Sequence, residues 1–150
     1  MTAIAGKKAP AFTCNNQDGK LVSLKDFAGK KLVLYFYPKA DTPGCTAESC
    51  NLTDNYKALK KAGYEVLGVS PDDEKKQKKF KDKYNMPFDL LADTEHKVAE
   101  AFGVWAEKSM YGRKYMGIVR TTFIIDEKGK IEEVIEKVET KAHAAQILKK

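Results

Sequence analysis

Residues 31–50 constrain the fold more than any other part of the sequence. They open with KLVLYFY, a nearly continuous apolar run of strand-forming residues, which predicts a central β-strand covered on both faces. Pro38 ends that strand because proline cannot extend a hydrogen-bond ladder. A helix follows, with Thr42 as a suitable N-cap and Pro43 at the first helical position. The sequence therefore predicts a strand, a short polar loop and a helix.

Cys45 falls in the first turn of this predicted helix. The first backbone N–H groups of a helix have no intrahelical partner, and they favour the thiolate form of a cysteine placed there. The thiolate is the reactive form, which makes Cys45 a candidate nucleophilic or redox residue. The alternative is a buried structural thiol, a common role for a free cysteine.

Cys50 lies five residues further along the same helix. At about 100° per residue it is rotated about 140° from Cys45, so Cys45 should face the sheet and Cys50 should face outward. A straight helix separates their Cα atoms by roughly 8–9 Å, whereas a disulfide needs at most about 7 Å. A Cys45–Cys50 disulfide would therefore require the first helical turns to unwind. A structural zinc site is disfavoured, because it needs about four ligands.

Arg120 lies in the apolar segment IVRTTFIID. A charge inside such a strand is costly unless an anion pairs with it. Its guanidinium either faces solvent or is directed at a thiolate or a bound polar oxygen. Cys14, the remaining cysteine, has no basic neighbour in the sequence and is interpreted as a bystander thiol.

Composition bounds the class of protein. The chain of 150 residues is expected to form one domain, 1–150, and it has no apolar run long enough for a membrane helix or a signal peptide. With three cysteines it does not resemble a secreted disulfide framework, and a cytoplasmic location is the default. The net charge of +6 comes from 25 lysines and only two arginines. The dense lysine run at 75–83 is interpreted as the solvated face of an amphipathic helix rather than a nucleic-acid site.

The order of predicted elements favours an α/β architecture. An N-terminal hairpin around an Asp-Gly turn is followed by alternating strands and helices, then by an antiparallel hairpin and a last helix. This order predicts three layers with a central mixed sheet. Four helices are expected, at 43–62, 71–84, 94–102 and 140–150, and an irregular loop is expected at 103–117.

The motifs resemble those of a known family. The pattern Pro38-x-x-x-Thr42-x-x-Cys45 is similar to the peroxiredoxin signature, and Arg120 followed by Thr-Thr-Phe resembles the family's distal arginine segment. A second cysteine five residues on resembles the bacterioferritin comigratory protein, or peroxiredoxin Q, subfamily. The resemblance covers essentially the whole chain and implies a thioredoxin-like fold. It also implies reduction of hydrogen peroxide and organic hydroperoxides.

The resemblance also implies roles for individual residues. Cys45 would be the peroxidatic cysteine and Cys50 the resolving one. The peroxide pocket would be formed by Pro38, Thr42, Gly44 and Arg120. The resemblance implies recycling by thioredoxin, a monomer, and no metal or organic cofactor.

Two other functions remain open from the sequence. One is a protein dithiol–disulfide oxidoreductase, although Cys-x-x-Cys would be the expected spacing there. The other is a lysine-rich nucleic-acid-binding protein with incidental cysteines.

Overall fold

The computed structural model describes residues 3–148. The strands are β1 (Thr13–Asn15), β2 (Leu21–Ser23), β3 (Lys31–Phe36), β4 (Tyr64–Ser70), β5 (Asp89–Ala92), β6 (Trp105–Met110), β7 (Arg113–Ile118), β8 (Thr121–Ile125) and β9 (Ile131–Ile135). The helices are α1 (Pro43–Asp54), α2 (Tyr56–Lys61), α3 (Glu74–Lys83), α4 (Lys97–Ala101) and α5 (His143–Leu148). Among the described residues, no helix is long and apolar enough to cross a membrane.

A five-stranded mixed sheet forms the centre, in the order β5-β4-β3-β8-β9. β3 pairs in parallel with β4 and antiparallel with β8, so it is the middle strand. The apolar run and its terminating proline thus correctly predicted both the position of β3 and its end near Pro38.

The two faces of β3 carry two separate hydrophobic clusters. Leu32, Leu34 and Phe36 point to one face, which is covered by α4 and the N-terminal hairpin. Val33 and Tyr35 point to the other, which is covered by α1, α2, α3 and α5. Each fully buried apolar side chain contributes about 1.5–3 kcal/mol, and these side chains hold α1 against the sheet. The predicted three-layer arrangement is confirmed.

The N-terminal hairpin has the predicted antiparallel pairing of β1 with β2. The Asn16 side-chain oxygen accepts hydrogen bonds from the backbone N–H groups of Asp18 and Lys20, and Gly19 adopts a φ of 75°. Glycine tolerates this left-handed conformation, which explains why Asp-Gly marks the turn.

The prediction of an irregular loop at 103–117 is wrong, because β6 and β7 form an antiparallel hairpin there. Its two-residue turn is Tyr111-Gly112, with φ values of 52° and 78°. Positive φ at both central positions is the type I′ geometry that joins two strands tightly. The first four residues of β7 are exposed, so the apolar alternation that marks a half-buried strand is missing.

The helices differ from the predicted bounds. The one expected at 43–62 is broken at Asn55, whose side chain donates to the Asn51 carbonyl at 2.8 Å and competes with the backbone pattern. α4 begins only at Lys97, since the Asp93 carboxylate accepts hydrogen bonds from the backbone N–H groups of Val98 and Ala99. The last helix was expected from Thr140 but begins at His143, and its final two residues lie outside the described part of the chain.

Candidate active site

The loop after β3 delivers Cys45 to the start of α1. Thr42 is extended, with φ −100° and ψ 157°, and its carbonyl accepts the backbone N–H of Thr46 at 2.8 Å. Pro43 is the first helical residue, where a missing N–H has no cost. Cys45 is therefore in the first turn, and its side chain is 1% exposed. The thiol faces the sheet, as the helical stripe predicted.

Arg120 reaches Cys45 from the short link between β7 and β8. Its Nη2 donates to the Cys45 Sγ at 3.2 Å, and its Nη1 donates to Glu48 Oε1 at 2.7 Å. Burial opposes the charge of the guanidinium, but Cys45 and Glu48 outweigh it and raise the Arg120 pKa. The planar guanidinium of Arg120 thus donates to the Cys45 sulfur and to the Glu48 carboxylate at the same time.

The other residues expected in the pocket lie around this contact. A Cβ atom added to Gly44 would lie 3.2 Å from Arg120 Nη2, so the glycine backbone closely approaches the guanidinium. The Thr42 hydroxyl donates to the Lys39 carbonyl at 2.8 Å, which leaves its oxygen lone pairs free to accept a hydrogen bond. Pro38 is half-buried at the end of β3.

Cys50 lies apart from this cluster on α1. It is half-buried, and burial followed by the charge of Asp54 raises the pKa of its thiol. Cys14, Cys45 and Cys50 are all free thiols. In this dithiol form, Cys45 and Cys50 therefore lie on different sides of the intact helix α1.

Glu48 belongs to the site but was missed from the sequence. It is 0% exposed, and burial raises the pKa of its carboxyl to about 7 even though Arg120 opposes that shift. Its position three residues after Cys45 puts both on one helical face, and this spacing was the available signal.

His143 was also missed from the sequence. It lies at the start of α5 and is 0% exposed. Its Nε2 lies 2.7 Å from the Thr122 hydroxyl and 3.5 Å from Glu48 Oε2. No pattern in the sequence links positions 48 and 143, because the contact is created by packing α5 against α1.

Comparison with known proteins identifies the family. The AhpC/TSA family model matches residues 5–134. Peroxiredoxin Bcp of Escherichia coli (strain K12) is 50% identical over 139 residues, which cover 93% of this chain and 89% of that protein. Peroxiredoxin Bcp of Bacillus subtilis (strain 168) is 47% identical over 148 residues, covering 99% of this chain and 94% of that protein. The chain is a peroxiredoxin of the AhpC/TSA family.

Solved structures agree with this membership. A mutant of Xanthomonas campestris peroxiredoxin Q superimposes with a TM-score of 0.89 at 34% identity, covering 99% of this chain and 96% of that one. A second structure, of the bacterioferritin comigratory protein of the same organism, gives 0.86 at 36% identity, with 92% and 88% covered. That protein has alkyl peroxide reduction activity. The thioredoxin-like fold and the thiol peroxidase class expected from the sequence are confirmed.

Cys14 of this peroxiredoxin lies in a different environment, on β1. Burial, then the charges of Asp93 and Glu74, raise its thiol pKa to about 12. Its Sγ is 3.6 Å from the Asn15 carbonyl oxygen. A thiol so hard to ionise is a poor nucleophile at neutral pH.

The lysine run of the peroxiredoxin falls on α3. Asp73 caps this helix by accepting the Lys76 N–H at 2.8 Å, and Gln77 and Phe80 form its buried face. Lys78 pairs with Asp18 at 3.1 Å and Lys83 pairs with Asp41 at 2.8 Å. The run is thus largely the exposed side of an amphipathic helix, as interpreted from the sequence.

Proposed function

We propose that Cys45 is the peroxidatic cysteine and that the chain reduces hydrogen peroxide and organic hydroperoxides. The observation that carries the proposal is the 3.2 Å contact between Arg120 Nη2 and Cys45 Sγ at the first turn of α1. A thiol held by a guanidinium and by free helix N–H groups is favoured as the thiolate. The same donors can also stabilise the peroxide oxygen that leaves as an anion.

The first chemical step is a displacement at oxygen. The Cys45 thiolate attacks one peroxide oxygen, the O–O bond breaks, and the leaving oxygen departs as hydroxide or alkoxide and takes up a proton. Arg120 supplies hydrogen-bond donors that stabilise this developing charge. The Thr42 hydroxyl oxygen accepts a hydrogen bond from the peroxide and orients it, while Gly44 leaves room and Pro38 shields the pocket. The product is Cys45 sulfenic acid.

The second step involves Cys50. Its thiol loses a proton and attacks the sulfenic sulfur, the S–O bond breaks, and the leaving hydroxide takes up that proton to become water as the Cys45–Cys50 disulfide forms. Both residues lie within the continuous helix α1. Residues five apart in a helix are roughly 8–9 Å apart at Cα, beyond the reach of a disulfide of about 7 Å, so the step requires α1 to unwind. The dithiol and disulfide forms would therefore differ in structure.

An external dithiol completes the cycle by exchange with this disulfide. We expect thioredoxin, or a protein of the same chemistry, to serve as reductant. We also expect a monomeric, single-domain enzyme of the cytoplasm that does not act on nucleic acid. The few cysteines and the mostly paired or solvated lysines support these expectations.

Peptide mass mapping after one equivalent of hydrogen peroxide tests the proposal. We expect a Cys45–Cys50 linkage and an unmodified Cys14. The variant Cys50→Ser should react once and then accumulate sulfenic acid or more highly oxidised Cys45. A linkage through Cys14, or sustained thioredoxin-driven turnover by Cys50→Ser, would assign resolution to another thiol.

Amide hydrogen exchange provides a second test, directed at the unwinding. Oxidation should accelerate exchange in residues 43–52, while β3 and β4 keep their protection. Unchanged protection across α1 in the disulfide form would contradict the proposed opening.

A further inference from the structure

The buried side of α1 presents a carboxylate oxygen that lacks a donor. Glu48 Oε1 accepts from Arg120, but Oε2 receives no hydrogen bond from any residue between 3 and 148. Leaving such an oxygen charged and unpaired in the interior is costly. His143 Nε2 lies 3.5 Å from this oxygen. The question is whether a proton lies between the two.

The neighbours of His143 determine which ring nitrogen carries its hydrogen. Gln146 Oε1 accepts the Glu139 backbone N–H at 2.9 Å, and Gln146 Nε2 donates to the Lys137 carbonyl at 2.9 Å. The amide orientation of Gln146 is thereby fixed. His143 Nδ1 lies 2.8 Å from that same Gln146 oxygen, so Nδ1 must be the donor.

A neutral His143 then has only a lone pair on Nε2. That lone pair can accept the Thr122 hydroxyl at 2.7 Å, but it offers nothing to Glu48 Oε2. An ionised Glu48 beside a neutral His143 would thus place two acceptors against each other in the interior. One additional proton, on either partner, removes this conflict.

We propose that Glu48 and His143 share one buried proton, and that His143 acts as a positioning residue that controls how much of the Arg120 charge is available to Cys45. The inference rests on the proposed role of Cys45 as the reactive thiol. His143 does not touch the sulfur and acts only through the carboxylate and the guanidinium.

The net charge of the Glu48–His143 pair determines how strongly Arg120 stabilises the Cys45 thiolate. With the shared proton, the Glu48–His143 pair is neutral, and the full charge of the guanidinium is available to the thiolate. Without it, the pair is negative, the guanidinium is divided between two anions, and the thiolate is disfavoured. Charge–charge interactions are strong in a poorly solvated cluster, so the extra negative charge of the pair has a large effect on the thiolate. The proton on the pair therefore supports the reactive form of Cys45.

The other titratable groups around the pair do not replace this proton. Lys108, on β6, interacts with Arg120 and Cys45 rather than with the pair, and its Nζ donates to the Ile118 carbonyl at 2.6 Å. The Tyr35 hydroxyl from β3 pairs with Ser49 at 2.8 Å, and burial keeps its pKa well above the ordinary value. Tyr35 therefore stays neutral, and Glu48 and His143 are left to exchange the proton.

The direction of the titration follows from burial. Burial raises the Glu48 pKa to about 7 against the opposing charge of Arg120, and burial lowers the His143 pKa despite its bond to Gln146. The pair accordingly holds its proton below about pH 7 and loses it above. Support for the thiolate should decline as the pH rises through this region.

Nuclear magnetic resonance tests the shared proton in the intact wild-type protein. With ¹³C-labelled glutamate and ¹⁵N-labelled histidine, the Glu48 carboxyl carbon and His143 Nε2 should shift together, near pH 7. The Glu48 signal is assigned by its loss in Glu48→Gln. Titration of Glu48 near its ordinary value, with no response in His143, would overturn the proposal whether or not the chain is a peroxidase.

The effect on Cys45 is tested by its alkylation with iodoacetamide between pH 5 and 9. Since glutamine can donate to Glu48 without titrating, His143→Gln should keep Glu48 ionised, remove the step near pH 7 and slow alkylation at pH 6 about tenfold. The matched control is His96→Gln, because His96 lies away from the site, stacked on Trp105 at 3.9 Å. Its profile should match the wild type.

The shape of the profile separates positioning from a structural role. A His143→Gln profile that is lowered equally at every pH, with the step retained, would refute the positioning role. Glu48→Gln should likewise lose the step, since it cannot titrate. Alkylation does not require peroxide turnover, so a failed peroxidase assay together with the expected profile would overturn the proposed function and leave the shared proton standing.

Discussion

Cys45 and Cys14 are both removed from much of the solvent, yet they face opposite charges. Cys45 is in contact with the Arg120 guanidinium at 3.2 Å. Burial, and after it the charges of the neighbouring carboxylates Asp93 and Glu74, raise the pKa of Cys14 to about 12. Desolvation disfavours any thiolate, so a buried thiol needs a compensating cation to become reactive. We therefore expect the charge supplied by the fold, together with burial, to distinguish a reactive Cys45 from an inert Cys14.

The same comparison applies to the segments that carry the two thiols. Cys45 lies at the start of a twelve-residue helix, where unpaired N–H groups add to the positive field. Cys14 lies in a three-residue strand paired with β2, and its Sγ contacts a carbonyl oxygen. Local backbone polarity therefore acts with the side-chain charge at Cys45, whereas at Cys14 the backbone hydrogen bond at Asn15 lowers the thiol pKa against the two carboxylates.

The largest expected effect comes from removing each thiol in turn. Cys45→Ser should abolish peroxide reduction, because serine cannot provide the nucleophile, and Cys14→Ser should retain wild-type turnover. Peroxide consumption with a thioredoxin system measures both. Substantial turnover in Cys45→Ser, or its loss in Cys14→Ser with the fold intact, would reverse the assignment.

Replacing the cation while keeping its charge should have the next largest effect. Arg120→Lys retains a positive charge but loses the planar fork that holds Cys45 and Glu48 together. Removing one preorganised donor of this kind costs about 10²–10³ in rate, and we expect a loss in this range for the reaction with peroxide. Arg113→Lys is the matched control, since Arg113 is exposed on β7. Equal rates for the two variants would show that charge alone suffices.

The sequence predicted those parts of the fold whose signals are local. The apolar run of β3, the proline that follows it and the Thr42-Pro43 helix start all lie within a few residues of each other, and the structure has them as expected. The β6–β7 hairpin was missed because its strands are largely exposed and lack the apolar alternation on which the prediction depends.

The site was predictable in part for the same reason. Cys45 carries its own signal in the first turn of α1, and Arg120 was conspicuous as a charge within the apolar segment IVRTTFIID, although the structure places it in the link just before β8. Glu48 resembled an ordinary helical glutamate, and its burial follows only once α5 covers α1. The 3.5 Å contact with His143 joins residues 95 positions apart in the chain, which no spacing rule describes.

A smaller effect is expected from crowding the cation. In Gly44→Ala the new methyl group would lie 3.2 Å from Arg120 Nη2, so the guanidinium must move by a few tenths of an ångström. Misplacement by 1 Å can cost about 10²-fold, so we expect a decrease of about three- to tenfold in the rate with peroxide. The melting temperature should change little, because alanine favours the helix. An unchanged rate would show that the position of the guanidinium is not critical.

The smallest effect should come from weakening the negative field at Cys14. Glu74→Gln removes one of the two carboxylates that raise the Cys14 pKa, while the burial that contributes most to the shift remains. Alkylation of Cys14 at pH 9, followed by peptide mass mapping, should therefore accelerate only about two- to threefold, within the range of a partly screened surface charge. Glu136→Gln, at an exposed position after β9, makes the same change in net charge and provides the control. If Glu74→Gln instead made Cys14 as reactive as Cys45, its carboxylate neighbours alone would keep this thiol inert, and burial would contribute little.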